Sequence, residues 1–125
     1  MGKVAITTEN APKPVAAFAQ ASRKGNILQV AGQVAFDTTG AVIGDTVTEQ
    51  TKQTFKNLEA VLAAAGSSFG DVVMVRVYLT DTAHFAEFNE VYKTLLAEPF
   101  PARTTVYVGL PAGLLVEIDV LAVLD

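Results

Sequence analysis

The sequence predicts an α+β fold in which two helices cover one face of a mixed β-sheet, and three observations support this prediction. Two segments carry apolar residues at helical spacing. Several shorter segments alternate apolar and polar residues or are rich in valine. The elements follow the order β-β-β-α-β-α-β-β without a linker or an internal repeat, and the 125 residues (1–125) fit one domain with its own core.

The opening third of the chain is predicted to be an antiparallel meander. Residues 3–8, 16–22 and 27–31 are the strand candidates. Gly25 and Asn26 are typical of a hairpin turn between the second and third of these segments, and residues 37–40 provide another turn.

The first helix is predicted from its capping residues and its periodicity. Thr46 and Glu49 have the spacing of a capping box, and apolar residues then recur at helical spacing until Gly66. Residues 71–80 form a valine-rich strand with apolar residues on both faces, which indicates a central position in the sheet.

The second helix is predicted to be capped by Asp81 and to end before Pro101. Its apolar stripe consists of Phe85, Phe88, Tyr92 and Leu95. Strands over about 103–109 and 115–124 complete the sheet. Because two helices cover only one face, we expect a homo-oligomer in which the other faces pack together, with sites in clefts between subunits.

Composition supports an oligomer and excludes several kinds of site. Apolar residues make up 50% of the chain and charged residues 18%, with a mean hydropathy of +0.36. The absence of cysteine excludes disulfides and thiolate metal sites, and His84 alone cannot form a histidine-rich metal cluster. A net charge of −4 disfavours nucleic acid as a partner. No segment resembles a membrane span or a signal peptide, so we expect a cytosolic protein without a membrane partner.

Arg103 and Glu117 are the charged residues that most suggest chemistry. A guanidinium matches a carboxylate bidentately, and a carboxylate accepts a proton or orients water. A surface ion pair and a solvated acid are the alternative. If the last two strands formed a simple hairpin, Glu117 would oppose Tyr107 and share a face with Arg103, about 13 Å away. A strand between them, or a loop one residue different, would remove that relation.

Three further positions are ambiguous from the sequence. Asn89 is a poor helix former within a helix, so it either hydrogen-bonds a neighbouring loop or lines a site. Gly32 either offers backbone groups to a ligand or occupies a turn or bulge. Asp119 and Glu117 have a spacing compatible with glycosidase acids, but the chain has no tryptophan for a sugar-binding groove.

Several segments, in their order and spacing, resemble the reactive intermediate deaminase family (RidA/YjgF). They are Glu9-Asn10-Ala11-Pro12, Gly25-Asn26, Ala31-Gly32-Gln33, Ala64-Ala65-Gly66, Phe88-Asn89 with Tyr92, Phe100-Pro101-Ala102-Arg103 and Val116-Glu117-Ile118. The resemblance implies a homotrimer with a chorismate-mutase-like fold and sites at subunit interfaces. It also implies hydrolysis of 2-imino or 2-enamino acids, such as 2-aminoacrylate and 2-iminobutyrate, to a 2-keto acid and ammonia, without a metal or an organic cofactor.

The resemblance also implies roles for individual residues. Arg103 corresponds to the arginine that holds the substrate carboxylate, Glu117 to the acid that positions water, and Asn89 to a site-lining asparagine. Three other substrate-site positions depart from the best-characterised deaminases, which have tyrosine, serine and cysteine where this chain has Phe18, Ala31 and Thr105. Phe18 and Ala31 lack the hydroxyl groups of the tyrosine and the serine, which removes hydrogen-bond partners. The resemblance therefore indicates the reaction class more firmly than the identity of the substrate.

Three other functions are weighed against the deaminase. A non-catalytic trimer that binds small carboxylates or keto acids shares every sequence feature; Phe18 and Ala31 favour it, and the presence of Glu117 opposes it. A nuclease or translation inhibitor fits poorly with the net charge of −4. A chorismate mutase would favour more than one well-placed cation for its dianionic substrate.

Overall fold

The computed structural model describes residues 2–125, and its elements follow the predicted order. The strands are β1 (Val4–Ile6), β2 (Ala21–Lys24), β3 (Ile27–Val34), β4 (Val72–Leu79), β5 (Ala102–Tyr107) and β6 (Val116–Val123). The helices are α1 (Val47–Ala64) and α2 (Phe85–Leu95), and 3₁₀ turns at Phe69–Asp71 and Thr82–His84 precede β4 and α2. No helix in the described part of the chain is long and apolar enough to cross a membrane.

The six strands form one sheet in the order β1-β2-β3-β6-β4-β5. All neighbours are antiparallel except β4 and β5, which are parallel, so the sheet is mixed as predicted. The predicted meander of the first three strands is present.

The hairpin between the last two strands is not formed, because β4 lies between β5 and β6. Arg103 is paired with Val75, and Glu117 is paired with Tyr78. Glu117 therefore does not oppose Tyr107, and the intervening strand that the sequence left open is the correct alternative.

Both helices pack on the same face of the sheet, and the core lies beneath them. Along β4, Val75, Val77 and Leu79 are buried, whereas Arg76 and Tyr78 between them are only half-buried. Since successive strand residues point to opposite faces, the first set faces the helices and the second lies on the open face. The predicted capping box at the start of α1 is present, with Thr46 accepting from the backbone N–H of Glu49.

Two predicted elements differ from the structure. Residues 16–20 are a loop, because the Gln20 side chain accepts from the Thr8 N–H at 2.7 Å and donates to the carbonyls of Thr8 and Pro12. The strand therefore begins at Ala21. Asp81 caps the 3₁₀ turn through the Ala83 N–H at 2.9 Å, and α2 itself begins at Phe85.

Candidate functional site

Arg103 lies on the helix-facing side of the edge strand β5, beside buried Val75. Its guanidinium carbon is 4.6 Å from the ring centroid of Tyr92, 5.6 Å from that of Phe85 and 5.8 Å from that of Phe88. These rings share one face of α2 because they are three and four residues apart. The helix thus presents three aromatic side chains to one cation.

The guanidinium has no anionic partner from the rest of the described chain. No carboxylate oxygen of residues 2–125 lies within 4.0 Å of it. Arg103 instead borders a cavity of about 340 Å³, which we call the arginine cavity. Its lining consists of Asn89, Tyr92, Lys93, Phe100, Pro101 and Arg103. A cation that is open to a cavity and not neutralised by the protein suits a small carboxylate ligand.

Asn89 and Thr105 lie with Arg103. Asn89 lines the arginine cavity and makes no side-chain hydrogen bond to a neighbouring loop within residues 2–125, so the site-lining interpretation fits it better. Thr105 shares the helix-facing side of β5 with Arg103. The hydroxyls of Thr105 and Tyr92 are buried and have no hydrogen-bond partner between Gly2 and Asp125. Buried hydroxyls without partners are uncommon.

Glu117 lies on the opposite, open face of the sheet, beside Tyr78 and Val34. Ala31 and Gly32 form a β-bulge in β3, because together they lie opposite the single residue Asp119. A Cβ added to Gly32 would lie 2.5 Å from Oε2 of Glu117. The bulge is therefore one of the two structures the sequence allowed at Gly32, and it places that glycine directly against the candidate acid.

The surroundings of Glu117 favour its protonated form. Burial raises the pKa of the Glu117 carboxyl, and the negative charge of Asp119 raises it further. Asp119 itself accepts from Arg76 Nε at 2.7 Å and from the Tyr78 hydroxyl at 2.8 Å. Those bonds commit Asp119 to a structural network, so the two acids do not act as a glycosidase pair.

Phe18 and Ala31 lie near Gly32 and not near Arg103. Phe18 is 51% exposed and, with Gly32 and Val34, lines a small cavity of about 100 Å³. Ala31 lies in the bulge, where its N–H donates to the carbonyl of Gln20 at 2.9 Å. We call the surface formed by Phe18, Ala31, Gly32 and Glu117 the Glu117 face.

The predicted site residues thus form two groups on opposite faces of one sheet. Asn89 and Arg103 line the arginine cavity, and Thr105 lies on the same side of β5 as Arg103. The others belong to the Glu117 face. One copy of the chain does not bring Arg103 and Glu117 to the same ligand. The sequence did not predict that Arg76 and Tyr78 hold Asp119 on the open face. Polar residues at alternate positions of a valine-rich strand were a usable signal for such a network.

A larger depression of about 690 Å³ lies between α1 and the loops at Glu9 and Asp37, away from both groups. Two of its polar residues hold the loops: the Asp37 carboxylate accepts from the Thr39 and Ala41 N–H groups, and Asn57 donates to the carbonyls of Val34 and Phe36. Within residues 2–125, no three potential metal ligands cluster together.

The mixed sheet with two helices on one face, an arginine on the edge strand without an anionic partner in residues 2–125 and a half-buried acid on the open face define a class of small proteins with the RidA architecture. The Endoribonuclease L-PSP family profile matches residues 8–124, and the chain belongs to this family, also called RidA/YjgF or RutC.

Relatives and a solved structure support this assignment over nearly the whole chain. A RutC family protein, PH0854, of Pyrococcus horikoshii is 45% identical over 122 residues, which cover 96% of this chain and 97% of that protein. A 2-iminobutanoate/2-iminopropanoate deaminase of Dermatophagoides farinae is 34% identical and covers 96% of this chain and 95% of its own length. The crystal structure of RidA from the Antarctic bacterium Psychrobacter sp. PAMC 21119 has a TM-score of 0.92 at 40% identity, covering 97% of this chain and 99% of that one.

Proposed function

We propose that this protein hydrolyses 2-imino and 2-enamino acids, of the 2-iminobutyrate and 2-aminoacrylate type, to 2-keto acids and ammonia. The observation that carries the proposal is the guanidinium of Arg103, which is open to a cavity and unpaired with any carboxylate of residues 2–125. A 2-imino acid presents a carboxylate for this cation and an electrophilic carbon one bond away. The deaminase relative at 34% identity supports this substrate class.

The arginine cavity and the Glu117 face together offer a group for each step of the reaction. Arg103 binds the substrate carboxylate, which holds the imine carbon at a fixed position. Glu117 accepts a proton from a water molecule as the water oxygen bonds to the carbon of the N-protonated imine and the C=N π electrons move to nitrogen. Glu117 then gives that proton to the amino nitrogen of the resulting carbinolamine. The C–N bond breaks with loss of ammonia, and the hydroxyl proton passes to the Glu117 carboxylate as the carbonyl of the keto acid forms. Asn89 lines the carboxylate end, and Thr105 lies next to it on the same side of β5 as Arg103.

The raised pKa of Glu117 suits its role in this mechanism. A carboxylate that holds its proton more tightly than usual is a stronger base toward water. Burial and the charge of Asp119 both raise this pKa. The same group, once protonated, has a proton to return to the departing nitrogen.

The site is complete only in a homotrimer under this proposal. Arg103 and Glu117 lie on opposite faces of one sheet, so the arginine cavity of one copy must meet the Glu117 face of another. Large apolar side chains on the open face support such packing, with Ile27 and Val106 at least 40% exposed in the single chain. Burying apolar surface is the main driving force for association.

The deciding experiment generates 2-iminobutyrate in situ with a serine/threonine dehydratase and follows 2-oxobutyrate formation with and without this protein. The proposal expects faster keto-acid formation in proportion to added protein. Unchanged formation at every protein concentration would contradict it. Light scattering should separately give three times the 13.2 kDa chain mass, and a monomer would contradict the shared site.

A non-catalytic trimer that binds small carboxylates or keto acids is the second candidate. Phe18 and Ala31 favour it, because neither supplies a hydroxyl to the Glu117 face. Calorimetric binding of 2-oxobutyrate without acceleration of imine hydrolysis would support it. The family description also mentions an endoribonuclease, but a net charge of −4 is a poor match for a phosphate backbone.

A further inference from the structure

We propose that Tyr92 is a positioning residue that acts through Arg103: its ring holds the guanidinium so that the N–H donors remain free for a carboxylate ligand. The inference rests on the proposed function, because it assumes that Arg103 binds the substrate carboxylate. It adds a residue that sets how tightly the carboxylate is bound through its effect on Arg103.

The geometry around the guanidinium singles out Tyr92. Its centroid is 4.6 Å from the guanidinium carbon, whereas the rings of Phe85 and Phe88 are about an ångström further away at 5.6 and 5.8 Å. A cation within about 6 Å of a ring centroid is attracted by the negative face of the ring. Tyr92 therefore makes the strongest of the three contacts.

Tyr92 is itself held rigidly by the core. It is only 5% exposed. Its ring packs edge-on against Phe55 of α1, with centroids 5.9 Å apart, and lies tilted against Phe88 at 5.5 Å. Phe85, in contrast, is 37% exposed at the start of α2. Because the Tyr92 ring is packed between α1 and α2, its position is fixed by the core. It therefore gives the long and flexible arginine side chain a fixed surface to pack against.

The kind of contact matters as much as its position. A protein carboxylate would also fix an arginine, but it would occupy the N–H donors and neutralise the charge that the ligand needs. An aromatic face attracts the cation without using those donors. Arg103 shows the second arrangement, with three rings and no carboxylate of residues 2–125 within 4.0 Å.

The Tyr92 hydroxyl is a separate feature from the ring. It is buried without a hydrogen-bond partner in the part of the chain that the structure describes. Burial raises the pKa of the Tyr92 phenol, with the charge of Arg103 opposing the shift, so the hydroxyl stays neutral. The proposal assigns the holding of Arg103 to the ring, and this makes the ring and the hydroxyl separable by substitution.

The test compares Tyr92→Leu, which removes the ring, with Tyr92→Phe, which removes only the hydroxyl. Isothermal titration calorimetry measures 2-oxobutyrate binding, and steady-state kinetics measure KM and kcat for 2-iminobutyrate. We expect Tyr92→Leu to weaken binding about tenfold, in line with a desolvated cation–π contact. KM should rise by a similar factor while kcat changes less than about twofold, and Tyr92→Phe should restore most of the affinity.

Phe69→Leu is the matched control, because Phe69 belongs to the same aromatic cluster through Phe55 but does not contact Arg103. It should lower thermal stability without changing 2-oxobutyrate affinity. Tyr92→Met, which keeps the volume filled by a flexible side chain, replaces Tyr92→Leu if the latter does not fold.

The possible results separate this inference from the proposed function. Parent-like affinity in Tyr92→Leu or Tyr92→Met would overturn the role of the ring, and equal losses in Tyr92→Phe and Tyr92→Leu would assign the effect to the hydroxyl instead. If the parent binds 2-oxobutyrate but does not accelerate imine hydrolysis, the reaction is wrong and Tyr92 can still be tested. If the parent does not bind 2-oxobutyrate, both the carboxylate site and the role of Tyr92 are wrong.

Discussion

Arg103 and Glu117 are both half-buried residues of one sheet, but their surroundings have opposite effects on the charged form of the side chain. In the arginine cavity, three aromatic rings face the guanidinium, and aromatic faces favour a cation. At the Glu117 face, burial and a neighbouring carboxylate disfavour the charge of the acid. One region leaves a cation without an anionic partner within residues 2–125, and the other raises the pKa of an acid.

The separation of Arg103 from Glu117 within one chain preserves this difference. If Arg103 lay beside Glu117 on the same face, the two would form an ion pair, which would lower the pKa of the acid and occupy the guanidinium. Because β4 separates β5 from β6 and the two residues face opposite sides, neither neutralises the other. Under the proposed function they meet only through the substrate, between two copies.

The largest expected effect comes from Glu117→Gln, which removes the proton acceptor and keeps its shape. We expect kcat/KM for 2-iminobutyrate to fall by about 100- to 10,000-fold, as for the loss of a general base. The parent's activity should also decrease at low pH around a pKa above the usual glutamate value, because burial and Asp119 raise the pKa of Glu117. A variant with at least a tenth of the parent's kcat/KM would rule out this role.

The same substitution has a predictable effect on stability. Because the pKa of Glu117 is higher in the folded protein than in the unfolded chain, the folded state binds more protons between the two values. The parent should therefore lose stability as pH rises through that window, and Glu117→Gln should not. Urea unfolding at several pH values measures both free energies of unfolding. The value for Glu117→Gln minus the value for the parent should increase with pH through this window, and a decrease would contradict the prediction.

Arg103→Ala should have the next largest effect, because it removes the cation from the arginine cavity. We expect kcat/KM to fall by about 10- to 150-fold, the range for loss of a charge-assisted hydrogen bond. Arg23→Ala is the matched control, since among residues 2–125 the Arg23 side chain donates only to the carbonyl of Gly25 in an exposed turn. Equal rates for Arg103→Ala and the parent would show that the carboxylate is bound elsewhere.

Gly32→Ala should have an intermediate effect that is confined to the Glu117 face. The added Cβ would lie 2.5 Å from Oε2 of Glu117, so the carboxylate must move. We expect kcat to fall about tenfold through misplacement of the base, with little change in 2-oxobutyrate affinity. Gly109→Ala is the control, because a Cβ there meets nothing within 4 Å. A larger change in affinity than in kcat would indicate that the two regions are coupled.

Phe18→Tyr should have the smallest effect. Phe18 is 51% exposed at the edge of the small cavity beside Gly32, so an added hydroxyl can be solvated without displacing a neighbour. We expect kcat/KM to change by less than about threefold, since a new solvent-exposed hydrogen bond contributes about 0.5 kcal/mol. A tenfold increase in kcat/KM would instead show that the absence of a phenol at position 18 lowers the activity of this chain.

Local signals in the sequence predicted most of the elements. The capping box at Thr46 and the helical spacing that follows it depend on neighbours within one or two turns, so α1 was predicted to within two residues at each end. The segment 16–20 was predicted wrongly, because its conformation depends on the Gln20 side chain reaching residues 8 and 12. Strand-like composition does not reveal that contact.

The sequence by itself determined the α+β class and the order of the elements, and it singled out the two residues proposed for binding and proton transfer, since these depend on periodicity and on side-chain chemistry. Only the tertiary structure decided that β4 separates Arg103 from Glu117, that the β3 bulge brings Gly32 against the acid, and that the Tyr92 ring lies 4.6 Å from the guanidinium carbon of Arg103. Strand neighbours and register arise from contacts between residues far apart in the chain, and a change of neighbour or of one residue in register moves a side chain to another partner or to the opposite face.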